Sequence, residues 1–197
     1  MNRSKTFSLN SIVKIGILSA IAYVLMFIQF PIPIAPPFMK IDLADVPALI
    51  GGFVAGPWVG VLIQLIKNVL NLTKTTTSGV GELSNFIIGA SFVFVSASIY
   101  KNKKTKKNAW LALFLGVIAM TIIATLSNAF VVFPTYAKVM GIDLNEFVKM
   151  TAMTNGLVDS YFTLMILSIV PFNIVKGFFA AFVTDLIYKR VSPILKR

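Results

Sequence analysis

Asn173 and Lys176 stand three residues apart in the segment Pro171-Phe172-Asn173-Ile174-Val175-Lys176-Gly177. On a helix that spacing puts them on one face, where an amide and an ammonium group aim donors at a single point. Such a pair suits the acceptor edges of a polar ligand. The plainer role for Lys176 is snorkelling past Pro171, about one turn away. Asn128 lies among Ala, Phe and Val before Pro134. A buried amide there needs partners, which a neighbouring helix or a ligand supplies. Asp42, Asp45, Glu82, Asn85 and Asp159 collect near the same set of segment ends. Asp42 suits a helix cap, and Glu82 suits the positive end of the helix that follows it. Asn68 and Lys67 fall in mid-segment, with Asn68 placed to reach a cavity and Lys67 to pair with an acid.

This chemistry is recognition rather than catalysis. The chain has no cysteine and no histidine, which removes thiolate chemistry and the commonest general base and metal ligand. It has no G-x-x-x-x-G-K-[ST] loop for nucleotide hydrolysis. No paired carboxylates stand at a spacing suited to acid–base or metal work. We therefore expect no catalytic residue, no metal and no cofactor. A membrane enzyme acting on lipid or isoprenoid is the competing reading, and the scatter of only seven acids counts against it. The 17 Phe and five Tyr are mostly packing or lipid-facing, although a planar ligand finds stacking surfaces among them.

The elements that position these residues are read from hydropathy. Of 197 residues 57% are hydrophobic and 13% charged, with a mean hydropathy of +0.85. That leaves too little polar surface to cover a soluble globule and implies an integral membrane protein. The net charge of +11 does not imply nucleic acid, because the basic residues cluster where apolar segments end. Twelve of the 18 lie at Arg3, Lys5 and Lys14, in the run Lys101–Lys107, and at Lys189, Arg190, Lys196 and Arg197. That asymmetry is the positive-inside pattern, with anionic inner-leaflet lipid as its partner.

The expected fold is an all-α membrane protein, one domain over 1–197, with six transmembrane helices and both termini cytoplasmic. The spans fall at about 11–30, 43–55, 58–72, 82–100, 109–132 and 172–190. Pro31 and Pro33 stop the first, and Pro134 ends the fifth. The second is short and interrupted by Gly51-Gly52, a mark of helices that build substrate sites. Residues 139–170 read as an outer segment with a helix from Asn155 to Ile169; the alternative is one long helix kinked at Pro171. Gly16 and Ala20 make a small-residue pair on the first helix, which serves either internal packing or close approach of a separate subunit.

Three groups of residues carry a resemblance over nearly the whole chain. Asp42-Leu43-Ala44-Asp45-Val46-Pro47 leads into Gly51-Gly52-Phe53-Val54-Ala55-Gly56-Pro57. Ile66-Lys67-Asn68-Val69-Leu70 and Gly81-Glu82-Leu83-Ser84-Asn85-Phe86 follow. Asn128 with Pro134-Thr135-Tyr136 precedes Pro171-Phe172-Asn173-Ile174-Val175-Lys176-Gly177. The chain resembles the substrate-binding S components of energy-coupling factor (ECF) transporters, and the last group resembles their riboflavin-binding branch. The resemblance implies a bacterial cell-membrane protein with an outward-facing ligand pocket, working with a transmembrane T component and two ABC-type ATPases. It implies that Asn128, Asn173 and Lys176 contact riboflavin as a transported ligand, with Leu43, Ala44 and Asp45 lining the pocket and Glu82 and Asn85 near it. Gly16 and Ala20 match a docking motif that carries Ala at both places in the family. An S component for another vitamin is the nearest alternative.

Overall fold

The computed structural model describes residues 9–196. The chain is mostly helical. Helix α1 spans Leu9–Leu25, α2 Asp45–Ala55, α3 Pro57–Asn71 and α4 Val80–Asn102. Helix α5, Lys106–Ser127, passes through a π turn, Asn128–Val132, into α6, Phe133–Met140. Helix α7 is Leu144–Ala152, and α8, Tyr161–Leu164, passes through a second π turn, Met165–Ile169, into α9, Val170–Lys196. One departure from an all-α fold is a two-residue antiparallel pair, β1 (Phe30–Pro31) with β2 (Lys40–Ile41), in register Phe30↔Ile41. Helix α1 ends at Leu25, short of the stop expected at Pro31, and a turn at 26–28 leads into a strap rooted on this pair. Among the described residues, three helical stretches are long and apolar enough to cross a membrane: Val80–Asn102, Lys106–Met140 and Tyr161–Leu195.

Two prolines do not end helices as expected. The fifth helix continues through Pro134 to Met140, and the last runs unbroken from Tyr161 through Pro171. The helix expected over Asn155–Ile169 forms only from Tyr161 onward; residues 153–160 are irregular, and the helix start is capped by reciprocal bonds between Ser160 and Thr163. The long-helix alternative is the one adopted. The reason lies in the two π turns. Phe133 N–H bonds back to Asn128 O and Val170 N–H to Met165 O, five residues away instead of four. A proline then follows each turn, where its missing N–H and its ring are accommodated by the widened backbone.

Each π turn leaves carbonyls without a helical donor, and side chains replace them. Ala129 O loses Phe133 N–H to Asn128 O, and Pro134 has no N–H to offer. The Tyr161 hydroxyl donates to Ala129 O at 2.7 Å. Leu167 O is four residues before Pro171, and Asn155 Nδ2 donates to it at 3.1 Å.

Helix α2 is buried along Asp45–Phe53. Gly51-Gly52 does not interrupt it. A Cβ on Gly52 would meet Ala97 Cβ at 3.0 Å and Val93 Cγ1 at 3.1 Å, so the glycine permits close contact with α4. The main core joins α1–α5 and α9 through Leu49, Ile63, Phe92, Val93, Leu113 and Met120. A second core packs α6, α7, α8 and the two π turns around Phe133, Phe147, Leu164 and Ile169. The inward side of α1 is Ile15, Leu18, Ser19 and Ala22, whereas Gly16 and Ala20 are exposed. Internal packing therefore does not use the small-residue pair.

Candidate ligand-binding site

A cavity of about 420 Å³ opens beside the second core. It is lined by the start of α4, the end of the α5 helix and the start of α9, with the strap 30–41 and the α3–α4 loop as further walls. The lysine run 101–107 lies at the other end of α4 and α5, so the cavity and the run occupy opposite ends of the bundle.

The polar wall is built from helix faces. Asn128 and Asn173 are buried, and each bonds through its amide to the carbonyl four residues back, Ala124 O at 2.7 Å and Ile169 O at 2.8 Å. Each amide retains a second N–H and an oxygen for a ligand. Lys176 is buried beside them. Its Nζ lies 3.4 Å from Asp42 Oδ2, 3.9 Å from Asp45 Oδ2 and 3.3 Å from Asn85 Oδ1. Asp42 also accepts Ala44 N–H at 2.8 Å, which fixes the turn into α2.

Behind this wall sits a second ion pair. Lys67 Nζ is 2.7 Å from Asp45 Oδ1, and Gln64 Nε2 donates to the same oxygen at 2.9 Å. Two lysines and two aspartates therefore share one buried network with no net charge. That balance matters because an isolated buried charge is costly, and removing one partner exposes the cost. Asn68 joins the network indirectly, bonding Gln64 O at 2.8 Å and accepting from Asn85 Nδ2 at 3.2 Å.

Glu82 plays a different part. Its Oε1 accepts from Asn71 Nδ2 at 3.1 Å, and its Oε2 accepts from Thr75 and Thr77 hydroxyls at 2.9 and 3.0 Å. The carboxylate thus pins the α3–α4 loop beside the cavity. Gly81 is needed in this wall: a Cβ there would come within 2.8 Å of both Tyr136 Oη and Thr77 Oγ1.

Five of the residues expected at the site line the cavity: Asn128, Asn173, Lys176, Glu82 and Asn85. Four do not. Asp45 and Asn68 are buried beneath it in the polar network, Ala44 is fully buried, and Leu43 packs on the main core. Their side chains are taken by α2 and α3, which leaves them supporting the wall rather than forming it. Sequence reasoning gave Asp42 a capping role and no ligand contact, and it missed Tyr136, Phe172, Thr77 and the strap residues Phe38, Met39 and Lys40 as cavity lining, although all of these line it. Asp42 carried a usable signal, since it shares a short acidic motif with Asp45 at the start of α2. Phe38 carried none; its ring reaches the site by packing 6.1 Å from Phe133 and 5.7 Å from Tyr136.

Residues 10–188 match the family described as "ECF transporter, substrate-specific component". The chain is 37% identical over 187 residues to the riboflavin transporter RibU of Staphylococcus aureus, covering 94% of this chain and 92% of that one. It is 34% identical over 185 residues to the riboflavin transporter FmnP of Bacillus subtilis, with 92% of each chain covered. A solved structure described as the S component of a bacterial ECF transporter superposes with a TM-score of 0.75 at 37% identity, covering 95% of this chain and 98% of the other.

Proposed function

The chain belongs to the substrate-specific components of ECF transporters, and we propose that it captures riboflavin from outside the cell for ATP-driven uptake. It is a binding subunit of a transporter and not an enzyme. Riboflavin is its transported ligand and not a cofactor. The observation that carries this reading is the convergence of Asn85, Asn128, Asn173 and Lys176 on one cavity of about 420 Å³, in a chain similar to riboflavin transporters over nearly all its length. That volume falls in the usual range for small-ligand sites, about 300–1,000 Å³, where a few polar groups fix the orientation of a largely apolar ligand. The flavin ring carries carbonyl and N–H groups on one edge, which suit Asn and Lys side chains, and its faces suit Phe38, Tyr136 and Phe172.

The arrangement in the membrane is part of the same proposal. Six spans, formed by α1, α2, α3, α4, α5–α6 and α8–α9, put both termini and the lysine run in the cytoplasm and open the cavity outward. The cationic end then meets anionic inner-leaflet lipid. Gly16 and Ala20, exposed on α1, offer a smooth strip where a T component with its two ATPases docks.

Fluorescence titration tests the ligand. Purified protein is expected to be yellow and to quench riboflavin emission with submicromolar affinity. Absence of quenching overturns the assignment, and a larger thermal shift with another vitamin reassigns the substrate within the family.

A further inference from the structure

The strap between β1 and β2 supplies Phe38, Met39 and Lys40 to the cavity wall, yet it is anchored at its root by only one short strand pair. Its own Ala35 and Ile41, with Ile32 and Met39 packed against them, form a small apolar cluster with Phe172 of α9. Near the tip, the carbonyl of Ile34 receives two side-chain donors. Ser168 Oγ donates at 2.6 Å, and Asn155 Nδ2 lies at 3.4 Å. These donors are 134 and 121 positions away in sequence.

Both donors owe their positions to the proline-linked π turn. Ser168 lies within Met165–Ile169 and is fully buried. Asn155 faces the same turn because its amide also satisfies Leu167 O, the carbonyl that Pro171 leaves without a helical N–H. The irregular stretch of the last helix, and the Asn155 amide bonded to it from the preceding loop, therefore present two donors to one strap carbonyl. The same helix carries Phe172, Asn173 and Lys176 into the cavity.

We propose that Ser168 and Asn155 are positioning residues that latch the strap against the last helix and thereby hold Phe38, Met39 and Lys40 in the ligand site. They touch no ligand themselves. The latch rests on the riboflavin reading for its functional effect but not for its structural effect. Loss of either bond frees the strap tip, so a bound ligand loses one wall and leaves sooner. A single uncharged hydrogen bond corresponds to roughly a three- to tenfold change in a rate or equilibrium.

The test measures riboflavin dissociation by stopped-flow fluorescence and backbone hydrogen exchange of residues 32–39, in the wild type, Ser168→Ala, Asn155→Ala and Ser168→Thr. The expected result is dissociation about three- to tenfold faster in both alanine variants, exchange rising within 32–39 more than in α4 or α5, and recovery of both by the threonine hydroxyl. Unchanged exchange in 32–39 overturns the latch. So does faster dissociation with exchange raised evenly along the chain, which is the signature of general destabilisation. If the wild type binds no riboflavin, the functional reading fails, and the exchange comparison still decides the latch by the same criterion.

Discussion

Lys176 and Asp42 are 134 positions apart in sequence, and their side chains meet at 3.4 Å in the cavity wall. The contact ties the start of α9 to the turn that enters α2. It is a loose contact for an ion pair, since charge-assisted bonds settle near about 2.7–2.9 Å. The other two contacts of the ammonium, to Asn85 and Asp45, are 3.3 and 3.9 Å. An ammonium held loosely among two carboxylates and an amide still has a donor to turn towards a ligand carbonyl. Tight pairing is reserved for Lys67 and Asp45 behind the wall, at 2.7 Å.

The first prediction follows from that difference. Lys176→Ala removes the proposed ligand donor and leaves Asp42 without its cation. Riboflavin binding is expected to weaken at least tenfold, about 1.4 kcal/mol. Lys104→Ala, an exposed change at the opposite end of the bundle, is expected to leave binding unchanged. Equal effects in a fluorescence titration would remove Lys176 from the site.

The π turns give a second prediction, on stability. Tyr161→Phe deletes the hydroxyl that satisfies Ala129 O at 2.7 Å. Leaving a carbonyl without a donor costs about 1–3 kcal/mol. Pro134→Ala introduces an N–H five residues beyond Ala129, where the π geometry accepts one. Thermal unfolding in detergent is expected to show a clear loss in Tyr161→Phe and partial recovery in the double variant. A double variant no more stable than Tyr161→Phe would show that Pro134 is not what leaves the carbonyl bare.

The cavity-lining residues that were legible in the sequence were those that cost most to bury. Asn128, Asn173 and Lys176 stood out because amide and ammonium groups in apolar segments need partners, and all three line one cavity. The same rule singled out Asp45 and Asn68 but could not separate wall from support. That depends on Lys67 and Gln64 reaching Asp45 from α3, a pairing no spacing reveals. The helix ends at Pro134 and Pro171 were misread for a related reason. Proline's local preference favours a break, and the donors that support continuation, Tyr161 and Asn155, come from outside the helical turn they serve, 32 and 12 positions away. Phe38 was hidden by its place in a proline-rich strap, whose course is set by contacts with Phe133 and Phe147.

The last prediction concerns which way the protein sits. The cavity and the lysine run are at opposite ends of α4 and α5, so a single pair of positions decides the orientation. The chain contains no cysteine, and one introduced thiol is therefore the sole target for a maleimide. Thr154 is exposed in the irregular turn that follows α7, on the cavity side, and Lys104 is exposed in the run. In intact cells, a membrane-impermeant maleimide is expected to label Thr154→Cys and to spare Lys104→Cys. After permeabilisation both label. The excess of Lys and Arg at one end supports this sense, because cytoplasmic connections carry that bias. Labelling of Lys104→Cys in intact cells would invert the topology and place the cavity on the wrong side for uptake.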